Sequence, residues 1–583
     1  MWEKSAFYVC PDSRAWMKNP GERRVAGVNG VSAGGSHFHI VMSDLEGQNE
    51  RENVMSLPDD SVKLITVVGS STNDVVNKIM QMQKDFQQSS DGRNYMRTLL
   101  QQSLDANPSR QDYVAAIVAS YLTLSDELLK AAKGIARANK VGRDWASPAG
   151  SFFTPTPIRS DKIAFMYGDG ASPYCGLGRD MYRIFPKMHE VVHDKTTEMW
   201  STSDEAWNTR EVLQSQMKHA EEKFVHRTVD MFRSGVFHST IFTAIAREVL
   251  GIKPKAAFGL SMGEVATLFA FSNANSSQSD EMTRRLNASP VWTSELAVKF
   301  NALRKSWGIG PNVPVTEFWR GYLLHAPRSK VEPIVNTNKY VRMVIINDSR
   351  TVIIAGKPDE CKKVSEKLGA TMNEIPQGMV GHCDFVKPHC GAIQYVHDML
   401  AVPNLKQDGI QLYTGVGGGK PMPQVSGKAL GDHVGNIYSE IADFERLVRA
   451  VHADGHDVFI ELGADSHRSN AVKNILNGKK HVAVSIDRRG ESLWNQILKM
   501  SAVLISHGVA INLSNLYHSS SGIQVEKRSR LQRKIVLNGR FGSPRPKSPV
   551  KSSRNKMSNS STSMTKKFRK KKKYTGPIVY DEK

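Results

Sequence analysis

The sequence predicts an α/β protein through most of its length, on three observations. From Lys162 onward, short apolar runs such as "KIAFMYGDGAS" and "KAAFGLS" alternate with longer segments of helical periodicity. One of these runs ends in Gly259-Leu260-Ser261-Met262-Gly263 and passes directly into "EVATLFAF", giving a strand, a serine-bearing turn and a helix in succession. Further on, "VRMVIINDSRTVIIAGKPDECKKVSEKLG" (341–369) reads as two strands joined by a turn and followed by a helix, a small split sheet-and-helix subdomain.

Taken in chain order, "ERRVAGVNGVSAGGSHFHIVMSD" (22–44) sets small residues and glycines before the β-like "FHIVM", which predicts a strand with close backbone contacts. "SVKLITVVGSS" then reads as a strand and "TNDVVNKIMQMQKDFQQ" as a helix. The stretch "QDYVAAIVASYLTLSDELLKAAKGIARANK" (111–140) predicts two amphipathic helices, with Ser125 capping the second ahead of Asp126 and Glu127 in its first turn. A long helical region through residue 250 follows "KIAFMYGDGAS", and near the end "GHDVFIELGADSHRSNAVKNIL" reads strand, loop, helix. No internal repeat is present.

A chain of 583 residues is long enough for about three domains with real cores. Its formal net charge of +21 sits mostly in a tail: Lys527 to Lys573 holds 18 Lys or Arg and no Asp or Glu, which leaves +3 for everything else. That tail is rich in Ser, Pro and Lys and poor in aliphatic residues, so disorder is expected, and specific nucleic-acid binding by a folded surface is not. The five cysteines (Cys10, Cys175, Cys361, Cys383, Cys390) include no C-x-x-C pair, which argues against disulfides and zinc ribbons. His382-Cys383 and His389-Cys390 form two metal-capable pairs, at a spacing unfavourable for familiar zinc sites. With no apolar stretch of transmembrane length and no signal peptide, a soluble cytoplasmic protein is expected.

A serine becomes a nucleophile when a base takes its proton and backbone N–H groups receive the oxyanion it creates. The turn at Ser261 can supply exposure and donors: its glycines permit a sharp bend, and the Met262 N–H lies at a helix N-terminus. Composition does not select the base among 18 histidines.

The segment from about 161 to 517 resembles the acyltransferase domain of fatty acid and polyketide synthases, the malonyl-CoA:acyl-carrier-protein transacylase family. The motifs "IAFMYGDGASPYCGLGRDMY", "GLSMGE", "GMVGHCDFVKP" and "GHDVFIELGAD" occur in the family's order, and their wording is similar to the acyltransferases of polyunsaturated fatty acid synthases. The resemblance implies an α/β-hydrolase-like large subdomain and a small ferredoxin-like subdomain at about 335–380. "GVNGVSAGGSHFHIVMSD" resembles the end of a ketosynthase, so residues 1–44 are expected to be a ketosynthase remnant and 45–160 an α+β linker domain. A basic linker at 518–574 would then lead into a truncated following domain at 575–583.

Carried over by position, the resemblance implies Ser261 as nucleophile, His382 as general base, and the backbone N–H groups of Met262 and Asp169 as oxyanion donors. Asp169 stands where the family has glutamine, and its carboxylate opposes a developing negative charge. Arg304 matches the arginine that holds a dicarboxylic acyl group, with Arg284 and Arg285 as alternatives. Leu260 replaces the usual histidine before the serine, and Gly381 leaves an open position beside the base. The implied reaction moves a malonyl group from coenzyme A to the phosphopantetheine thiol of an acyl carrier protein, with other synthase domains as partners and no tightly bound cofactor. A catalytically degenerate scaffold of a split synthase and a serine hydrolase using the same dyad remain alternatives.

Overall fold

The structure is a computed structural model that describes residue 16 and residues 22–43, 61–106, 108–109, 111–185, 187–197, 214–272, 274–375 and 378–520. The basic tail, the segment 575–583 and all of 44–60 lie outside the described residues. Strands β1 (Val25–Val31) and β2 (His37–Ser43) form an antiparallel hairpin in which Gly30 faces Phe38. A Cβ at Gly30 would lie 1.9 Å from the Phe38 ring, the close backbone contact that the glycine-rich run predicts.

Strands β3 (Lys63–Gly69), β4 (Tyr113–Ala119), β5 (Trp145–Ala146) and β6 (Phe152–Phe153) make an antiparallel sheet in the order β3-β4-β6-β5. The expected helix Thr72–Gln88 is present, capped by the Ser71 side chain on the Asp74 N–H. The first of the two helices expected in 111–140 is instead β4. Its run "YVAAIVA" lacks polar alternation because both faces are covered: Val114, Ala116 and Val118 enter the main core, and Ala115, Ile117 and Ala119 enter a second core beneath the helices Thr72–Gln88 and Leu124–Val141. In the latter helix the N-cap is Thr123, and Ser125 lies inside the first turn.

The main sheet opens with β7 (Ile163–Tyr167), every residue of which is buried, and β8 (Ala256–Gly259) pairs parallel to it. The helical region between them is divided into Met181–Ile184, Met188–His193, Gln214–Val225 and Thr228–Ala244, the last continuing as a π-helical turn to Val249. The chain then leaves for a smaller sheet of β9 (Arg320–Leu324), β10 (Val341–Asp348), β11 (Thr351–Gly356) and β12 (Met372–Ile375). Helices Arg328–Val335 and Pro358–Leu368 complete a βαββαβ unit with strand order β12-β9-β11-β10, the ferredoxin-like arrangement. This unit begins a strand and a helix upstream of residue 335, because β9 pairs with β11 and β12 in the same sheet.

The chain returns to the main sheet with β13 (Gln411–Thr414) and the short antiparallel β14 (Lys420–Pro421), and lends β15 (Ala442–Asp443) to the edge of the smaller sheet beside β10. Strands β16 (Val458–Glu461) and β17 (Val482–Ser485) finish a main sheet ordered β14-β13-β8-β7-β16-β17. From β7 the chain builds outward first through β8 and β13, then on the other side through β16 and β17. The order therefore reverses at β7, and the crevice at its C-terminal end, between the β8 and β16 connections, is where such sheets place ligands.

Candidate functional site

Ser261 stands at that crevice, one turn past the end of β8. It is the N-cap of the helix Met262–Phe271 and has φ 59° and ψ −123°, a conformation that a side chain rarely adopts. The two glycines around it are demanded by contact. A Cβ at Gly259 would lie 2.0 Å from the Gly263 carbonyl carbon, and one at Gly263 would lie 2.4 Å from the Tyr167 carbonyl oxygen at the end of β7. The helix start is thus pressed onto the C-terminal end of β7, close to Gly168 and the turn that carries Asp169.

A second tie holds the helix. The Glu264 carboxylate, buried at 3% exposure, accepts the Gly415 N–H at 2.9 Å and the Thr414 hydroxyl at 2.6 Å, and His433 lies 3.8 Å away. This fastens the first turn after Ser261 to the end of β13.

His382 meets Ser261 from 121 residues away in sequence, with Nε2 at 2.7 Å from the serine Oγ. Its Nδ1 lies 3.1 Å from the Glu440 carbonyl oxygen, which fixes the proton on Nδ1 and leaves Nε2 to accept from the serine. The His382 N–H donates to the Tyr438 carbonyl at 2.6 Å, and the Tyr438 ring stacks on the imidazole. Burial lowers the His382 pKa from its ordinary value, opposed by the Glu440 carbonyl and the Asp169 charge, so the ring is neutral and basic near pH 7.

Among the described residues, the backbone N–H groups of Met262 and Asp169 make no hydrogen bond within the protein. Gly170 comes against Met262, where an added Cβ would lie 3.7 Å from the Met262 Cβ, which brings the Asp169 turn beside the helix start. The carboxylate of Asp169 is tied back, with Oδ1 accepting the Ala171 N–H at 3.0 Å and the Ser172 hydroxyl at 3.1 Å. Two backbone donors stand ready beside a serine–histidine pair, the parts that acyl chemistry at serine needs.

A cavity of ≈ 90 Å³ opens on Ser261 and His382, walled by Phe232, Ile345, Ile353, Ile375 and Met379, with Gly381 at its rim. Arg304 is not there. Its guanidinium donates to the carbonyls of Lys299 at 2.8 Å, Gly310 and Val313 at 2.7 Å, and it lies over the Phe318 ring, which makes it a brace for its own loop. Arg284 pairs with Glu281, and Arg285 with Glu281 and Asp398, both away from this cavity. Leu260 is a buried core residue whose N–H donates to the Tyr167 carbonyl. Of the proposed metal-capable pairs, His382 faces Ser261 and Cys390 lies against the Val386 and Gly435 carbonyls. Among the described residues no group of three His, Cys, Asp or Glu is placed to hold a metal, and no helix is long and apolar enough to cross a membrane.

The architecture has close counterparts among solved structures. Over 78% of this chain and 98% of the other, it superposes on the acyltransferase domain from module 8 of the salinomycin polyketide synthase, with a TM-score of 0.58 and 15% identity. The chain has the acyltransferase fold. The acyltransferase domain of SpnD, solved in complex with 2-(pent-4-yn-1-yl)malonyl, gives a TM-score of 0.53 at 13% identity, covering 78% of this chain and 97% of that one. In sequence, this acyltransferase-fold chain is homologous to a segment of a polyunsaturated fatty acid synthase polypeptide of Thraustochytrium sp. (strain ATCC 26185 / S-3). The two are 38% identical over 578 residues, which is 92% of this chain and 28% of that protein. It is also 22% identical over 540 residues to the spectinabilin polyketide synthase system protein NorA of Streptomyces orinoci, covering 88% of this chain and 25% of NorA. The chain thus spans about a quarter of the length of these relatives. No family model matches it.

Two participants have no signature in the sequence. Glu440 acts through its backbone carbonyl, which any residue supplies, at the C-cap of the helix Gly427–Ser439 whose Tyr438 carbonyl also receives the His382 N–H. Arg468, in "GADSHRSN", lies 3.7 Å from the Asp169 carboxylate across roughly 300 residues of chain, a contact no local pattern announces.

Proposed function

We propose that this chain is an acyltransferase that carries an acyl group from coenzyme A to the phosphopantetheine thiol of an acyl carrier protein through an ester on Ser261. The observation that carries the reading is the 2.7 Å contact between the serine Oγ and the His382 Nε2 at the mouth of a helix whose first N–H is free. His382 Nε2 takes the serine proton as Oγ attacks the thioester carbonyl, and the Met262 and Asp169 N–H groups receive the oxyanion. Collapse breaks the carbon–sulfur bond, and His382 passes its proton to the departing sulfur, so coenzyme A leaves as the thiol and Nε2 is free again. The carrier thiol then gives its proton to the same nitrogen as it attacks the acyl-serine ester, and Ser261 recovers a proton from His382 on release.

Coenzyme A and phosphopantetheine enter as substrates. A cleft of ≈ 360 Å³ that His382 also lines, with Asn338, Lys387 and the ion-paired Arg342 and Asp384 in its wall, offers polar groups to a pantetheine arm. Malonyl is the proposed cargo, supported by the malonyl-derived ligand of the SpnD acyltransferase domain. A neutral acyl chain is a second reading, supported by the aliphatic walls of the Ser261 cavity and by the engagement of Arg304 with backbone carbonyls. Residues 1–44 as a ketosynthase end and 45–160 as the adjoining linker domain fit an origin in a larger multienzyme, as does the homology to the Thraustochytrium synthase.

Intact mass after exposure to malonyl-, methylmalonyl-, acetyl- and octanoyl-CoA tests the reading. An adduct on the wild-type chain that is absent from Ser261→Ala and is discharged onto a phosphopantetheinylated carrier protein is the expected result, and its mass distinguishes the two cargoes. No adduct with any thioester refutes acyl transfer, and discharge to water that the carrier does not accelerate assigns a hydrolase.

A further inference from the structure

The turn after β7 sets a carboxylate next to the place where negative charge develops. Asp169 contributes to the wall of the Ser261 cavity, and its neighbour Gly170 lies against Met262, where an added Cβ would be 3.7 Å from the Met262 Cβ. An unopposed carboxylate there weakens oxyanion stabilisation and raises the proton affinity of His382.

The structure supplies a counter-charge from another element. Arg468 is the second residue of the helix His467–Ile475 and is 6% exposed, and its Nη2 lies 3.7 Å from the Asp169 Oδ2. Its Nη1 donates to the Asn347 side-chain oxygen of β10 at 3.0 Å, and the guanidinium lies over the Phe444 ring with its carbon 5.1 Å from the centroid. The backbone under it is held just as closely. Glu461, the last residue of β16, accepts the Arg468 N–H at 3.0 Å and the Ser469 N–H at 2.7 Å. Because β16 pairs with β7, with Glu461 beside Met166, the arginine is indexed to the strand whose turn carries Asp169.

We propose that Arg468 is a positioning residue of the acyl-transfer site, which neutralises the Asp169 carboxylate and so lets the oxyanion turn work with an acidic residue in it. The proposal rests on the acyl-transfer reading for its kinetic consequence. The charged and titratable groups that meet at this point are few. Asp169 faces Arg468 and His382, and Arg468 faces Asp169 and Glu461. Lys473, on the next turn of the same helix, also faces Glu461. The geometry joins the turn after β7, the helix after β16 and strand β10, so one side chain links the oxyanion turn to both subdomains.

The test is a cycle of four proteins: wild type, Arg468→Met, Asp169→Asn and the double variant. Methionine keeps the reach over Phe444 and removes the charge. The rate of Ser261 acylation should fall roughly 10- to 100-fold on Arg468→Met when Asp169 is present, and by less than about threefold when residue 169 is already Asn. NMR titration of the His382 imidazole should move to higher pH in Arg468→Met and return in the double variant. Arg468→Lys, which keeps the charge, should titrate as wild type, and Arg468→Gln replaces Arg468→Met where the latter does not fold. Equal losses in both backgrounds, or a His382 titration that does not move, overturn the proposal and leave Arg468 a packing role. If wild type takes up no acyl group, acyl transfer fails as a reading, while the imidazole titration still decides the Asp169–Arg468 pairing.

Discussion

The backbone at Ser261 makes a prediction that separates the chemistry of the side chain from the geometry that presents it. At φ 59° and ψ −123° a Cβ is crowded by its own peptide neighbours, and holding such a residue costs about 1–3 kcal/mol. Ser261→Ala and Ser261→Gly both delete the hydroxyl and its contact with His382, so those losses cancel between the two. Glycine relieves the crowding but adds about 0.5–1 kcal/mol of unfolded-chain entropy. The difference leaves Ser261→Gly more stable than Ser261→Ala by about 1 kcal/mol, although both are devoid of acylation. Urea unfolding of the two variants at equal m-value measures this directly, with intact mass confirming the loss of adduct. A Ser261→Gly protein no more stable than Ser261→Ala would refute the idea that the turn is strained to expose the nucleophile.

Other expectations follow from the same geometry. His382 is held below the usual imidazole value by burial, so the neutral base prevails above that lowered pKa and activity is lost as pH falls through it. The acid limb of kcat/KM should therefore lie below about pH 6.5, and a limb above that value contradicts the assignment. Arg304→Ala should leave the ratio of malonyl to acetyl adduct within about threefold of wild type while costing about 1–3 kcal/mol in unfolding free energy. A large change in that ratio would restore Arg304 to the acyl pocket. Glu264→Gln gives up one charged acceptor at Thr414 or Gly415 and should cost about 1–3 kcal/mol. It should also lower the acylation rate more than it raises KM, since the helix bearing Met262 loses an anchor.

Much of the fold was legible because local pattern and burial agree. The helix Thr72–Gln88, the strand before Ser261 and the β10–β11 hairpin each carry a period that one-sided or complete burial explains. The strand β4 was misread because a segment covered on both faces loses its alternation, and a run of small and β-branched apolar residues then fits a helix equally well. Ser261 and His382 were assignable through ordered motifs, whereas their 2.7 Å contact depends on how two subdomains close. Arg304 shows the limit of matching motifs along the chain. Its surrounding motif resembles the one that carries the family's carboxylate clamp, yet the carbonyls of Lys299, Gly310 and Val313 take its donors. Glu440 and Arg468 were invisible for complementary reasons, one acting through a main-chain atom and the other through a partner almost 300 residues away.

The double duty of β4 bears on where this polypeptide can be cut. Leu64, Val114, Ala116 and Val118 share a core with Trp494, Ile497 and Leu504, and Trp494 Nε1 donates to the Val62 carbonyl at 2.9 Å. The Tyr517 hydroxyl likewise receives the Leu64 N–H at 2.7 Å. An excised catalytic fragment starting at residue 161 would strip the cover from the Leu493–Ser506 helix and leave a sticky, aggregation-prone flank. The smallest piece worth expressing begins before β3, and residues 61–160 are better regarded as half of a joint than as a spacer.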